Sequence, residues 1–302
     1  MTYLPAPPAQ RPLYSGGPAV SSIAWGMWRF RGDDVAAAEA RVQAALDAGV
    51  TLFDTADIYG PDNGEPFGAA EVLLGRVFRA NPGLKSKMVI ATKGGISMGV
   101  PYDSSAGYIA SAIDASLSRM GVEQVALWQI HRPDVLTHPS EVGAALTAAH
   151  KAGKIGAAGV SNFTAAQVEA LAAHCEIPIV SHQPEFSPLV VSALSDGVMD
   201  QALALNMTVL AWSPLAQGRI AEPKDERARA VADALDAKAA EAGVSRAAAA
   251  YSWILAHPAR PIPIVGTQTP ARIAEIPQAY LPRWTRAEWY GVLVAALGAP
   301  LP

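Results

Sequence analysis

The feature that most constrains this chain is a rhythm: short apolar runs of strand character alternate, from end to end, with longer stretches of helical spacing. The runs fall at 23–25, 51–54, 88–92, 125–130, 157–160, 179–182, 208–212 and 262–265, eight in all. Their near-continuous apolar character fits strands covered on both faces, as in a parallel sheet. In 104–120, Ile109, Ile113, Leu117 and Met120 recur at intervals of four, four and three, which marks one buried helical stripe. Asp33 is the expected N-cap of a helix that runs to Ala48 and stops at Gly49. Thr164 is expected to open a helix over 165–173, and Ser245 one over 246–257 ahead of Pro258.

Eight strand–helix units without a linker, a low-complexity segment or a break in composition predict one α/β domain over 1–302. Its expected form is a closed (β/α)8 TIM barrel with the active site at the C-terminal face of the strands. An open doubly wound sheet uses the same alternation but carries a Gly-x-Gly-x-x-Gly turn after a strand. Gly153, Gly156 and Gly159 have the wrong spacing for that turn and lead into a strand instead of following one.

With 51% hydrophobic and 17% charged residues, a chain of 302 can fill one large core. A net charge of −4 without a Lys/Arg cluster argues against nucleic acid or an anionic membrane as partner. Cys175 is the sole cysteine, so no intramolecular disulfide can form. No apolar run reaches the roughly 18 residues of a membrane helix, and the Pro-rich segment 1–13 lacks the apolar core of a signal peptide. The expected location is the cytoplasm.

Ionisable residues gather at strand ends. Asp54 ends the second run, Lys93 follows the third and His131 follows the fourth, so three successive strands deliver a carboxylate, an amine and an imidazole to one end of the barrel. Tyr59 stands five residues past Asp54, within reach of a loop folding over that face. A phenol with a pKa near 10 is a poor proton donor around neutrality, and an adjacent ammonium favours the phenolate and is expected to lower that pKa. A carboxylate on the lysine would hold it charged, and a histidine could donate a hydrogen bond to a substrate oxygen. Singly, each residue also has an ordinary explanation: a turn aspartate, a structural ion pair, a core histidine, a tyrosine covering the barrel mouth. Their joint placement at consecutive strand ends favours chemistry.

Six segments in order then resemble the aldo-keto reductases, in a bacterial branch of generic oxidoreductases, from about residue 23 to 275. They are Asp54-Thr-Ala-Asp-Ile-Tyr59-Gly60, Ala91-Thr-Lys93-Gly94, His131-Arg-Pro-Asp134, Gly159-Val-Ser161-Asn162-Phe163, His182-Gln183-Pro-Glu185-Phe-Ser-Pro188-Leu189 and Ala211-Trp212-Ser213-Pro214-Leu215. The resemblance implies reduction of a small-molecule carbonyl, with Tyr59 as general acid, Lys93 and Asp54 tuning it, and His131 orienting the carbonyl. It puts Ser161, Asn162 and Gln183 on the nicotinamide carboxamide, Trp212 on the nicotinamide ring, and Ser213, Leu215 and Gly218 along the pyrophosphate. Trp28 falls where the family often has a substrate-facing aromatic.

The segment Gly266-Thr267-Gln268-Thr-Pro-Ala-Arg272-Ile-Ala-Glu275 resembles the adenosine-phosphate loop, Arg272 matching the arginine on the adenine side and the 2′-phosphate. A helix starting near Thr269 or Pro270 would favour an anion there. Gly266 stands where many relatives carry a phosphate-binding lysine, and Ile276 where many carry an asparagine. The implied cofactor is therefore NADPH, with NADH or dual use left open.

Two other functions compete. A metallohydrolase on the same barrel needs a metal cluster, but the histidines at 131, 138, 150, 174, 182 and 257 include no His-x-His and no His-Glu-x-x-His. His138 and His150 are expected within a helix and His257 at the end of one. Potassium-channel β subunits share the fold and the four polar residues and bind NADPH as a regulatory ligand, so only steady turnover separates that role from an enzyme. The oligomeric state is left open.

Overall fold

A computed structural model describes residues 2–301. The chain enters through an antiparallel hairpin, β1 (Gln10–Pro12) and β2 (Ala19–Ser21). Every one of the eight apolar runs then yields a strand. These are β3 (Ala24–Gly26), β4 (Leu52–Asp54), β5 (Val89–Gly94) and β6 (Leu127–Ile130), followed by β7 (Ala158–Ser161), β8 (Ile179–Gln183), β9 (Thr208–Ala211) and β10 (Ile262–Val265). They pair in parallel in chain order, and β10 closes the barrel on β3 through Ile264↔Ala24 and Val265↔Trp25. The fold is a (β/α)8 TIM barrel.

The helices of the outer layer are α1 (Val35–Asp47), α2 (Ala69–Ala80), α3 (Ala106–Met120), α4 (Pro139–Lys151), α5 (Ala165–Ala172) and α6 (Val198–Leu205). The pair α7 (Glu226–Ala242) and α8 (Arg246–Leu255) precedes β10, and α9 (Pro270–Ala274) and α10 (Arg286–Leu297) follow it. Their ends follow local chemistry. Thr164 and Gln167 form a reciprocal capping box on α5, as the sequence predicts for its start, and Ser245 caps α8. The cap of α1 is Asp34, not Asp33: its carboxylate accepts from the Ala37 amide at 3.0 Å, which a residue one place earlier cannot reach. Helix α8 stops at Leu255, two residues short of His257, and His138 caps α4 from outside it.

Within the barrel, side chains alternate with a period of two. Leu52, Ala91, Leu127, Ala157, Leu210, Ile262 and Ile264 pack together in one cluster with Leu13 and Val20 of the hairpin. Their neighbours Phe53, Trp128, Val160, Val209 and Val265 belong instead to the larger cluster shared with the helices. The hairpin therefore plugs the N-terminal mouth, where Thr208 Oγ1 also donates to the Leu13 carbonyl at 2.5 Å. That plug was not evident in the sequence, where 1–13 reads only as Pro-rich. In the outer layer, α8 and α10 are clasped by Trp253 and Trp289. Their rings stack at 4.5 Å, and each indole N–H donates to the other residue's carbonyl. Among the described residues no helix is long and apolar enough to cross a membrane.

Candidate active site

The alternation that fills the barrel also aims its upper residues. Two positions beyond inward Leu52 stands Asp54, and two beyond Ala91 stands Lys93. Gln183 follows Ser181 and Trp212 follows Leu210 at the same interval, so all four side chains point to the axis at the C-terminal face. Lys93, fully buried, donates to Asp54 Oδ2 at 2.6 Å and to the Thr55 carbonyl at 2.8 Å. Asp54 Oδ1 in turn accepts from Gln183 Nε2 at 2.9 Å, so both carboxylate oxygens are engaged. Tyr59 arrives on the loop after β4 with its ring centroid 5.1 Å from Lys93 Nζ. Gly60 makes that loop sterically feasible: a Cβ there would lie 1.8 Å from the Pro66 carbonyl oxygen. His131 enters from the end of β6, its amide donating to the Gly94 carbonyl at 2.8 Å, and its ring meets Tyr59 edge-on at 6.0 Å.

Electrostatics divide these groups. Burial works to lower the Lys93 pKa, but Asp54 and Tyr59 more than offset it, and the net direction is up. The His131 imidazole lies well below the usual histidine range, chiefly through desolvation and further through Lys93 and Arg132, so it is neutral. Tyr59 corrects the sequence expectation. Lys93 does pull its pKa down, but desolvation pushes harder, and the phenol sits above its ordinary value. The simple pairing argument counted the lysine and left out burial.

Above these groups opens a cleft of about 1100 Å³. Of the residues picked out in sequence, Trp28, Asp54, Tyr59, His131, Ser161, Asn162, Gln183 and Trp212 line it, and so do Ser213, Leu215, Gly218, Gly266, Thr267 and Arg272. Lys93 lies beneath the lining. Gln268 and Glu275 are not among the lining residues: the Gln268 amide donates to the Gly26 and Gly266 carbonyls at 3.1 and 3.4 Å, and Glu275 stands at the C-cap of α9, where its charge acts on Tyr251 of the lining. Asn162 is a hub, donating to the His131 carbonyl at 3.2 Å and to Ser161 Oγ at 2.8 Å while accepting from the Trp212 indole at 3.0 Å. Its φ is +61°, and Ser213, Ala216 and Gln217 also take positive φ in the loop after β9. For Ser213, Ala216 and Gln217 each such conformation costs about 1–3 kcal/mol, so that loop is held in a shape its local sequence disfavours, whereas Asn162 is of a residue type that adopts it readily.

Sequence reasoning missed several lining residues. Arg219 and Lys224 bring cations from the loop after β9, and Tyr251 comes from α8. Arg29, Asp62 and Met98 line the cleft from the loops after β3, β4 and β5, and Arg132 lies 5.9 Å over the Trp212 ring. Arg132 could have been found, since it stands next to His131 in a quoted motif. The others sit on loops whose paths have no periodicity to read. Among the described residues no group of His, Cys, Asp or Glu could hold a metal ion.

Comparison with known proteins places this architecture. The sequence profile of the Aldo/keto reductase family matches residues 22–289. A 6-dehydroglucose reductase of Novosphingobium aromaticivorans is 53% identical, covering 100% of both chains. Another protein of that name, from Agrobacterium fabrum, is 36% identical over 96% of this chain and 98% of its own. Among solved structures, the glycerol dehydrogenase AKR11B4 from Gluconobacter oxydans superposes with a TM-score of 0.81 at 26% identity, covering 94% of this chain and 95% of that one.

Proposed function

From the premise that this chain belongs to the aldo/keto reductase family and is an oxidoreductase, we propose that it reduces aldehydes or ketones to alcohols with NADPH, Tyr59 giving the proton. The observation that carries this reading is the buried Lys93–Asp54 pair directly below Tyr59 and beside a neutral His131, all at one end of a long cleft. The Tyr59 phenol, kept protonated by burial, delivers its proton to the carbonyl oxygen. Lys93, held charged by Asp54, offsets the charge left on the phenolate oxygen. Gln183 fixes Asp54 from behind. His131 donates one N–H to the same carbonyl oxygen without competing to protonate it.

The remainder of the cleft fits a dinucleotide. Its wall carries an aromatic plate, Trp212, held by Asn162, with Ser161 and Gln183 beside it, and then the Ser213–Gly218 strap. The same cleft is lined by three cations suited to phosphates, Arg219 and Lys224 after the strap in the chain and Arg272 on α9. They support NADPH ahead of NADH even though Gly266 occupies a position where many relatives have lysine. When bound, the cofactor supplies the hydride.

The substrate in the names of two relatives, 6-dehydroglucose, heads the candidates. The test is loss of NADPH absorbance with 6-dehydroglucose, other sugar aldehydes, simple aldehydes and ketones. Steady turnover of at least one is expected. Tight NADPH retention with no turnover of any would instead make the chain a regulatory cofactor-binding subunit.

A further inference from the structure

One stretch of the cleft rim, made by the loops after β3 and β4, is a built wall. Trp28, on the loop after β3, is tied to the turn after β4 at two points: its indole N–H donates to Asp62 Oδ2 at 3.3 Å, and its carbonyl accepts from Asn63 Nδ2 at 2.6 Å. A third tie joins the same two loops, from the Gly32 amide to Glu65 Oε1 at 2.7 Å. The indole is therefore held as a plate on the cleft wall, with Trp28 40% exposed. Arg29 stacks its guanidinium 4.7 Å from the centroid of that ring. Among the described residues neither Arg29 nor Arg132 makes an ion pair, and both line the cleft.

An aromatic plate flanked by one carboxylate and one unpaired guanidinium, with a second guanidinium, Arg132, over the Trp212 ring of the same cleft, is poorly matched to a plain alkyl or aryl aldehyde. Such a substrate would cover Asp62 and the arginines and return no hydrogen bond to them. A site built to bond hydroxyls rejects analogues that lack them for that reason. The wall is equally poorly matched to a strongly anionic substrate, because Asp62 stands inside it.

Resting on the reductase reading above, we propose that Asp62 is a specificity-determining residue, accepting a hydroxyl of a polyhydroxylated aldehyde whose C–H face lies on the Trp28 indole. Arg29 and Arg132 donate to the remaining hydroxyl oxygens. Asp62 touches no reacting atom. It acts by selecting substrates and by holding the indole at its angle.

The experiment compares kcat/KM for glyceraldehyde and 6-dehydroglucose with that for propanal, and for glyceraldehyde with glyceraldehyde 3-phosphate, in wild type, Asp62→Ala, Asp62→Asn and Trp28→Phe. In Asp62→Ala the ratio of hydroxylated substrate to propanal should fall at least tenfold, mostly through KM, while the Kd for NADPH stays within twofold. Asp62→Asn, which keeps an acceptor oxygen, should recover part of that ratio. Trp28→Phe keeps a plate but loses the tether, and should lie between. Equal losses for glyceraldehyde and propanal would overturn the proposal and leave the reductase reading intact. So would a tenfold wild-type preference for the phosphorylated substrate, since the guanidiniums would then be reading an anion. Absence of wild-type turnover with every carbonyl would overturn the reductase reading itself, and this inference with it.

Discussion

Tyr59 is the residue on which the chemistry turns, and its environment fixes the pH at which it can act. Reduction needs the protonated phenol, and burial raises its pKa above the usual 10 against the pull of Lys93. The donor form is thus present throughout the physiological range and is lost only as pH rises past that elevated value. His131, held neutral by burial and by Lys93, does not change charge near pH 6.5. Steady-state kcat for carbonyl reduction should therefore be flat from about pH 6.5 to 9, and a step centred in that window would assign the proton to another group. Tyr59→Phe should lower kcat by at least ~10²-fold, the lower range for removing a general acid, with little change in NADPH affinity measured by fluorescence titration. His131→Gln keeps a donor and should retain more activity than His131→Ala, both remaining above Tyr59→Phe. If His131→Gln were as inactive as Tyr59→Phe, and wild-type activity disappeared as a group in the histidine range deprotonated, an imidazolium would be the acid instead. At this scale the sequence showed which residues meet, because strand ends and the period of two place them. The direction of the Tyr59 shift was not legible, because desolvation depends on everything packed around the ring.

Among the elements, the loops after β9 and β10 decide how the far end of the cleft is charged. The segment after β10 does begin a helix at Pro270, as its sequence suggests, but α9 has only five residues, too few for a substantial dipole. Discrimination by charge there rests on side chains. Arg272→Ala should weaken NADPH binding by about 1.5–3 kcal/mol, the range for one charge-assisted contact, or tenfold and more, while NADH affinity changes far less. Equal losses for the two cofactors, measured by calorimetry, would show that Arg272 stacks on the base instead of reading the phosphate. Arg219 and Lys224 were invisible in the sequence for a physical reason: an irregular loop has no repeat, and three of its non-glycine residues, Ser213, Ala216 and Gln217, adopt positive φ that their own propensities disfavour. Helix starts were more legible, since a cap is a contact between residues two or three apart. Even so, Asp33 and Asp34 could be distinguished only by seeing which carboxylate reaches the Ala37 amide.

At the scale of the whole barrel, the outward half of the strand alternation carries a titratable group of its own. His182 is buried between strand and helix layer, and desolvation lowers its pKa to about 4, the Phe163 backbone offsetting only part. The unfolded chain takes up that proton first as pH falls below about 6.5, so stability is lost progressively from there toward pH 4. At pH 5 the loss from this residue is about 2 kcal/mol. His182→Leu should reduce the difference in urea stability between pH 7 and pH 5 by about that amount, whatever its absolute stability. An unchanged difference would show the ring to be charged or solvated in the fold. The sequence by itself determined the barrel, its single continuous run of strand–helix units and the four polar residues at its upper face. All of these follow from periodicity and short-range placement, which one dimension records. Tertiary structure alone decided that the β1–β2 hairpin plugs the lower mouth, that the Gln268 amide is bonded back to the Gly26 and Gly266 carbonyls, and that Asp62 joins Trp28 on the rim. Those outcomes depend on contacts between segments far apart in the chain, and on burial, which belongs to the packed molecule and to no stretch of it.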